Sequence, residues 1–459
     1  RQAGRRTIHS KLNSSRLKLV SCRRTAQRTA QLSAVMPSLA LVSLLPLAAQ
    51  AIDNGLGLRP PMGWRSWNLF GADVNQSLIE SIMDEMVAKK RKVDGVPTSL
   101  CDLGYCDVGL DDNWQKCGAG NKYHYHDDSG IPIVNTDRFP DMIAMTSHAH
   151  KLGLTAGWYG NNCICAEHET ATEAMYQSDV AALTVFGFDA VKLDGCGTQL
   201  DLDLWARLLN GTGRRVMIEN CHWGGTVPNA TWCPWNFFRT SGDVRASYSS
   251  VVWNLLTTVE WAEKGLSKPG CWGYPDMLEV GCKHGPGGAS DPGLSFIEMR
   301  THFGAWAIVS SPLTLSHDLK NDTIADLVWP VIANKEAIAV NQAWAGHSGS
   351  PFKQAGTTVV LQDSTNNAPA VPSWQFFRKP LGGGRVAVLM LNHGPKAQTL
   401  TLRFADVPGL GCKARCLVRD IWERKDLGTF ENTFIGKDVA SHDSIFLVLG
   451  PAAANVIHA

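Results

Sequence analysis

The chain lacks the sequence motifs of several large protein classes. No GxGxxG or Walker A motif follows an apolar run, which argues against a nucleotide-binding, doubly wound sheet. No heptad pattern or internal repeat is present, so neither a coiled coil nor a solenoid is expected. The cysteines of CICAE and CKARC lack the paired spacing of a zinc ribbon or finger, so the sequence predicts no metal site.

Acidic residues are absent from the first 51 positions, which contain nine of the 43 Lys and Arg residues. The rest of the chain therefore has 34 basic residues against 42 acidic ones, and this mildly acidic balance gives no support for nucleic-acid binding. Met36 opens an apolar run that ends in a cleavage-like Ala-Gln-Ala sequence at Ala49–Ala51. The run is too short for a comfortable membrane span, so we interpret 36–51 as a signal peptide.

The signal peptide predicts a secreted or a lysosome- or vacuole-like location. The basic leader 1–35 is interpreted as a gene-model or transit segment, and targeting to an organelle is the alternative. Of 13 Cys residues, all but Cys22 follow the leader. An even number with close pairs is typical of disulfides in an oxidising compartment, and the alternative is a set of buried free thiols. Four glycosylation sequons give weak support to secretion.

The chain is long enough for a large barrel and a smaller domain. From Leu58 to about Ala345, eight short apolar runs alternate with amphipathic, helix-like stretches such as Tyr248–Glu263 and Ile324–Val340. This alternation predicts a (β/α)8 barrel over 52–345, and an open doubly wound sheet is the alternative. The runs are MGWRSW, YCDVGLDD, LTAGWYG, FDAVKLDG, RRVMIENC, FFRTSGD, CWGYPDM and SPLTLSHD.

After Ala345 the helical pattern stops. Gly, Pro and Asn separate short β-rich runs such as SWQFFRK, RVAVLMLN and SIFLVLG. This pattern predicts an antiparallel β-sandwich over 346–459.

Polar side chains stand at or near the ends of the predicted barrel strands. A single Asp after a strand is usually a helix cap or a turn residue. Carboxylates at the ends of five strands instead predict a site, because the carboxyl ends of barrel strands meet at one mouth. The residues in question are Asp111, Asp112, Tyr159, Asp194, Cys221, Asp243, Asp276 and Asp318.

Two of these carboxylates suit glycoside hydrolysis. A retaining glycosidase needs a nucleophilic carboxylate and a proton donor, about 5–5.5 Å apart, and neither a metal nor an organic cofactor. VKLDGCG places Asp194 at a strand end, two residues after Lys192, whose ammonium would keep Asp194 ionised. FFRTSGDV places Asp243 four residues after Arg239. We therefore predict Asp194 as nucleophile and Asp243 as general acid/base.

From about Asn54 to the C-terminal region, the chain resembles glycoside hydrolase family 27, the family of α-galactosidases and α-N-acetylgalactosaminidases. The order and spacing of several segments support this resemblance: NGLGLRPPMGWRSWN, LDDNW, RFPDMIAMTSHAHKLGL, VKLDGCG, RTSGDV, YPDML and AIVSSPLTLSHDL.

The resemblance implies a retaining exo-glycosidase that hydrolyses terminal α-D-galactosyl residues of oligosaccharides or glycolipids, with a homodimer as a possible assembly. It also implies a set of sugar-binding residues: Trp64 on the pocket floor, Asp111 and Asp112 at its closed end, Tyr159 on its wall, Lys192 and Arg239 as donors to ring hydroxyls, and Asp276 with Met277 at its rim. The implied disulfides join Cys196 to Cys163 or Cys165, Cys221 to Cys233, and Cys412 to Cys416.

The chain departs from the family pattern at four positions. His222, in NCHWGG, stands where α-galactosidases commonly carry a Glu that recognises the sugar. If His222 faces the sugar, its bulk argues against a pocket for an N-acetyl group. The alternative is that His222 is a loop histidine that points away from the sugar. Asn161 and Tyr274 each stand where Asp is usual. Asn113 replaces a common Cys, which leaves Cys101, Cys106 and Cys117 as candidates for a rearranged disulfide.

These departures leave other activities open. The same machinery would act on α-N-acetylgalactosaminides, β-L-arabinopyranosides or isomaltose-type glucans. A sugar-binding protein without catalysis is a further alternative, but the presence of both catalytic carboxylates argues against it.

Overall fold

The structure is a computed structural model that describes residues 54–119, 124–283, 291–361 and 370–451. The predicted leader and signal peptide lie outside these described residues. Within the described ranges, no helix is both long enough and apolar enough to span a membrane.

Strands and helices alternate along the chain as far as residue 342. The elements are β1 (Met62–Arg65), α1 (Trp67–Phe70), α2 (Gln76–Val87), β2 (Arg91–Val93), β3 (Val96–Thr98), β4 (Asp107–Gly109), α3 (Met142–Lys151), β5 (Thr155–Gly160), α4 (Glu173–Phe186), β6 (Ala190–Asp194), α5 (Leu202–Gly211), β7 (Met217–Cys221), β8 (Phe237–Arg239), α6 (Tyr248–Leu256), α7 (Val259–Glu263), β9 (Trp272–Tyr274), α8 (Phe296–Ile308), β10 (Leu313–Leu315), α9 (Asp322–Ile332) and α10 (Lys335–Gln342).

Eight of these strands form one curled parallel sheet in the order β10-β1-β4-β5-β6-β7-β8-β9. Just beyond β9, the backbone N–H of Leu278 donates to the carbonyl of Thr314 in β10 at 2.8 Å, which links the two edges of the sheet. The eight strands are the eight predicted ones, and the predicted (β/α)8 barrel is confirmed.

Two predicted helices are each divided in the structure. The stretch predicted over Ile324–Val340 splits into α9, which ends at Ile332, and α10. Asn334 caps α10, where its side chain accepts hydrogen bonds from the N–H groups of Glu336 and Ala337. Tyr248–Glu263 likewise forms α6 and α7. The strands β2 and β3 form a hairpin in which Asp94 and a glycine turn the chain with positive φ angles.

The C-terminal region is built from antiparallel strands. They are β11 (Ser350–Gln354), β12 (Thr358–Val359), β13 (Val371–Pro372), β14 (Trp374–Gly382), β15 (Arg385–Asn392), β16 (Gln398–Arg403), β17 (Arg415–Asp420), β18 (Lys425–Glu431), β19 (Thr433–Val439) and β20 (Ser444–Gly450). Six of them form a sheet in the order β11-β14-β15-β20-β17-β18, and β16 pairs with β19. The predicted β-sandwich is confirmed.

The central strand β15 explains the unbroken apolar run RVAVLMLN. Its Val386 and Val388 face the core of the sandwich, whereas Ala387 and Leu389 belong to the core that continues into the barrel. Since successive side chains of a strand point to opposite faces, both faces are buried and the usual polar alternation is lost. Gly304 allows α8 to pack closely against β15, because a Cβ at this position would lie 3.1 Å from the Leu389 side chain.

Five disulfides join ten cysteines: Cys101–Cys106, Cys117–Cys165, Cys163–Cys196, Cys233–Cys271 and Cys412–Cys416. The expected Cys221–Cys233 bond is wrong, because the two residues lie at opposite ends of the barrel. Cys221 is the last residue of β7, whereas Cys233 and Cys271 precede β8 and β9. Cys221 is a buried free thiol.

Candidate active site

The carboxyl ends of β5 to β8 bring five of the predicted residues together. In the sheet register, Tyr159 lies beside Lys192, and Asp194 lies beside Cys221. Arg239 ends the next strand, β8, and one of its nitrogens lies 3.4 Å from the Cys221 sulfur. Adjacent parallel strands therefore present these side chains to a single mouth.

Asp194 is held by hydrogen bonds to both carboxylate oxygens. The Tyr159 hydroxyl donates to Oδ2 at 2.7 Å, and the Gly195 backbone N–H donates to Oδ1 at 2.7 Å. The Lys192 ammonium lies 4.0 Å from Oδ2. Burial raises the pKa of Asp194 above its ordinary value, although Lys192 and these hydrogen bonds oppose that rise. The carboxylate is thus fixed in one orientation and only 4% exposed.

Lys192 forms the main ion pair of the site with Asp111, at 2.9 Å from Nζ to Oδ2. Burial alone would lower the pKa of Lys192, but Asp111 and other anionic neighbours raise it well above its usual value. Arg65 lies 3.9 Å from Asp111 and 2.8 Å from Glu219. A charged network therefore lies beneath the mouth of the barrel.

Both carboxylate oxygens of Asp112 accept hydrogen bonds, from its own loop and from the loop after β5. Its Oδ2 accepts from the backbone N–H groups of Cys163 and Ile164, both at 2.9 Å. Its Oδ1 accepts from the N–H of Asn113 at 2.7 Å and from Gln115 at 2.6 Å. In the free protein, Asp112 therefore joins two loops of the site.

Asp243 is the most open of the predicted carboxylates, with 57% of its side chain exposed. Arg239 lies between two carboxylates: it donates to Asp243 at 2.9 Å and lies 3.2 Å from Asp276. Burial raises the pKa of Asp276 to about 6, although Arg239 opposes that rise. Asp276 also accepts from the Val244 N–H at 2.8 Å, which fixes the loop that follows Asp243.

Trp64 and Met277 are both buried. Trp64 donates from its indole nitrogen to the His317 carbonyl at 2.9 Å. Met277 packs in a small cluster with Tyr274 and other aromatic residues, and Asp276 beside it is equally buried. Asp276 also contacts Arg239 of the site, and the expected position of Asp276 and Met277 at the rim of the sugar pocket stays a prediction.

His222 reaches the site, but its ring nitrogens do not face open space. Nδ1 lies 2.8 Å from the Thr226 hydroxyl, and Nε2 is buried without a hydrogen bond from any described residue. Burial lowers the pKa of His222, opposed by the backbone of Asp194, so a neutral ring is favoured. The geometry is that of a loop histidine held by its own loop.

Two residues without a predicted role, Trp223 and Asn161, lie next to Asp194. Trp223 is 42% exposed and packs over Gly195, where a Cβ would lie 3.1 Å from its ring. Asn161 is fully buried and donates from Nδ2 to the Asp194 carbonyl at 2.5 Å. The contact between Trp223 and Gly195 explains why a glycine follows Asp194 in VKLDGCG. That glycine is the feature of the sequence that indicates a close neighbour at this position.

Comparison with known proteins supports the resemblance seen in the motifs. The family model described as Alpha galactosidase A matches residues 59–343, and the Alpha galactosidase C-terminal beta sandwich domain matches 372–449. An α-galactosidase from Cyamopsis tetragonoloba is 30% identical over 87% of this chain and 88% of its own length. One from Coffea arabica is 31% identical over 87% and 96%.

Among solved structures, α-galactosidase I from Mortierella vinacea superimposes with a TM-score of 0.67 and 25% identity, over 87% of this chain and 98% of that one. The chain belongs to the α-galactosidase family, glycoside hydrolase family 27.

Proposed function

We propose that this glycoside hydrolase removes terminal α-D-galactosyl residues with retention of configuration, with Asp194 as nucleophile and Asp243 as general acid/base. The observation that carries the proposal is the contrast between the two carboxylates. Asp194 is buried and held at both oxygens, whereas Asp243 is exposed and reaches the mouth from the loop after β8. A fixed nucleophile and a solvent-accessible proton carrier are the two groups that double displacement needs.

In the first step, Asp243 gives its proton to the leaving glycosidic oxygen while Asp194 attacks the anomeric carbon. The product alcohol leaves, and a galactosyl ester of Asp194 remains. In the second step, the Asp243 carboxylate takes a proton from water, whose oxygen attacks the same carbon and releases Asp194. The two inversions together retain the anomeric configuration.

The surrounding polar groups suit recognition of a sugar. Lys192 and Arg239 supply cationic donors, and Asp111 supplies an acceptor on the Lys192 side of the site. Trp223 offers an exposed aromatic face beside Asp194, and an aromatic ring packs well against the apolar face of a pyranose. We propose that the galactosyl unit binds among these four residues.

The preferred substrates are proposed to be α-galactoside oligosaccharides or glycolipids. The five disulfides suit an oxidising location, secreted or lysosome- or vacuole-like. Activity on N-acetylgalactosaminides is a weaker candidate, because the curated relatives described above are named α-galactosidases.

The test is a panel of nitrophenyl glycosides that includes α-galactoside, α-N-acetylgalactosaminide and β-L-arabinopyranoside. We expect the α-galactoside to be hydrolysed with the highest kcat/KM, and proton NMR to show α-galactose as the first product. Asp194→Asn should abolish turnover without loss of folding. No turnover of any glycoside by the folded protein, or β-galactose as first product, would contradict the proposal.

A further inference from the structure

Two imidazoles and a carboxylate form a buried group outside the proposed galactose site. His126 lies in the segment after β4, His168 in the segment after β5, and Asp179 in α4. One potential ligand atom from each lies within 4.8 Å of the other two. All three residues are buried, so the group is closed to bulk solvent.

The two hydrogen-bond contacts of His126 are one proton short when Asp179 is ionised. Its Nδ1 lies 3.0 Å from the Glu167 carbonyl oxygen, and its Nε2 lies 2.8 Å from Oδ1 of Asp179. Both neighbours are acceptors when Asp179 is ionised, but a neutral imidazole has only one N–H. One of the two contacts therefore needs either an extra proton or a metal ion.

His168 provides a second nitrogen that nothing in the described structure uses. Its ring packs against that of His126, with centroids 3.8 Å apart. Its Nε2 is buried without a hydrogen-bond partner among the described residues, and the residue is only 7% exposed. A neutral imidazole nitrogen is a common metal ligand.

Two carboxyl groups of this region are buried without a cationic partner among the described residues. Glu167 and Asp179 are both buried, and no Lys or Arg of the described ranges forms an ion pair with either. One oxygen of Glu167 is buried without a hydrogen bond from any described residue. Burying uncompensated carboxylates is costly, and a divalent cation would offset that cost.

We propose that His126, His168 and Asp179 bind a zinc ion. Nε2 of each imidazole and Oδ1 of Asp179 supply three ligands, which leaves a fourth position for water. Two imidazoles and one carboxylate are a ligand set that zinc accepts in a tetrahedral site. In this arrangement Nδ1–H of His126 donates to the Glu167 carbonyl, the kind of second hydrogen bond that orients a metal-binding histidine.

The ion would stabilise the loop that supports Asp112. Asp112 accepts from the N–H groups of Cys163 and Ile164, and Glu167 accepts from the N–H of Asn162 at 2.9 Å. The metal ligand His168 lies at the end of the same loop. The ion therefore acts on the stability of the loop, not on the chemistry at Asp194.

The experiment titrates zinc into the full-length protein after treatment with EDTA and removal of the chelator. We expect one zinc ion per chain by calorimetry and metal analysis, and a rise in Tm of a few degrees at saturation. His168→Ala and Asp179→Asn, which remove one ligand each, should each weaken zinc binding at least tenfold.

Two matched variants test the location of the ion. His148→Ala removes a histidine that also contacts a carboxylate, on the outside of the barrel, and should keep the zinc site. Asp194→Asn should also keep it, because the nucleophile is not a ligand. The proposal is overturned if the folded wild type binds no zinc, if both ligand variants bind as the wild type does, or if Asp194→Asn alone loses binding.

Discussion

Arg239 donates a hydrogen bond to Asp243 at 2.9 Å, so the proposed proton donor is an ion-paired carboxylate in the free protein. Burial alone would raise the pKa of Asp243, but the Arg239 guanidinium outweighs it and holds that pKa below its ordinary value. The proton-donating form is therefore present only at low pH.

The first prediction is an acidic optimum. Because only protonated Asp243 donates, we expect kcat/KM for nitrophenyl α-galactoside to fall as the pH rises through the pKa of Asp243, which Arg239 holds below the ordinary aspartate value of about 3.9. Arg239→Gln removes the guanidinium that lowers the pKa of Asp243, so the fall should move to higher pH even though kcat/KM itself decreases. Arg300→Gln, whose arginine pairs with Asp443, is the control and should leave the profile in place. An unchanged profile in Arg239→Gln would show that this contact does not set the pH dependence.

The second prediction concerns the leaving group. Asn cannot give up a proton as an acid, so Asp243→Asn should reduce glycosylation by a poor leaving group by roughly 10²–10⁴-fold. A dinitrophenyl leaving group needs little protonation, and its release should fall by less than about tenfold in a pre-steady-state measurement. Since the Asp243 side chain is largely exposed, we expect an unchanged Tm. Equal losses for both leaving groups would argue against the acid/base role.

Much of the fold was predictable because the barrel strands are short apolar runs that end in polar residues. The strands β18 and β19 were not predicted. Most residues of β18 are exposed, so this strand supplies no apolar run. The division of the predicted 324–340 helix was missed as well. This division depends on Asn334, which caps the second helix. Because the amphipathic pattern continues across the cap, the pattern alone predicts one helix.

The positions of the site residues along their strands were predictable, but the groups that these residues contact were not. The period of two along a strand correctly placed Lys192 beside Asp194. The same logic could not show that Asp112 would bind backbone N–H groups, because these come from a loop distant in sequence. The Cys221–Cys233 pairing came from the resemblance alone, although the predicted strands already place Cys221 at the end of one strand and Cys233 before the next. Distances between loops require the tertiary structure.

The third prediction concerns His222, which stands where the family commonly has Glu. Neither ring nitrogen is available to a ligand in the free protein, because Nδ1 contacts Thr226 and Nε2 is buried. We expect His222→Gln to leave the ratio of kcat/KM for α-galactoside over α-N-acetylgalactosaminide unchanged within about threefold. A change of more than about tenfold in that ratio would mean that the residue at 222 selects the sugar.

The fourth prediction concerns Asn161, another departure from the family pattern. Its Nδ2 donates to the Asp194 carbonyl and its Oδ1 accepts from the Gln199 N–H at 3.0 Å. Asn161→Asp would place a carboxylate oxygen against that carbonyl, so we expect a loss of about 2–4 kcal/mol in the free energy of unfolding and a lower kcat. Asn210→Asp, on the surface, is the control and should change neither quantity. Unaltered stability and activity in Asn161→Asp would show that Asn161 does not support the nucleophile.

The last prediction concerns His302, a fully buried residue of α8. Its Nε2 accepts a hydrogen bond from the Glu279 N–H at 2.9 Å, which requires an unprotonated nitrogen, and burial lowers the pKa of His302 to about 3. Above about pH 6.5 the ring is neutral in both the folded and the unfolded state, so it contributes no pH dependence there. As the pH falls below that value, the unfolded chain binds a proton that the folded chain does not, and stability is lost. At about pH 5 the loss from this one residue is about 2 kcal/mol.

His302→Gln tests this directly, because the Gln side-chain oxygen accepts the same hydrogen bond but does not titrate. The variant will be less stable than the wild type at about pH 7.5, where the better packing of the imidazole dominates. Between about pH 7.5 and about pH 5, the difference in the free energy of unfolding should shrink by about 2 kcal/mol, since only the wild type loses the histidine contribution. Denaturant unfolding of both proteins at the two pH values measures that change. A constant difference would show that His302 takes up its proton equally in the folded and unfolded chains.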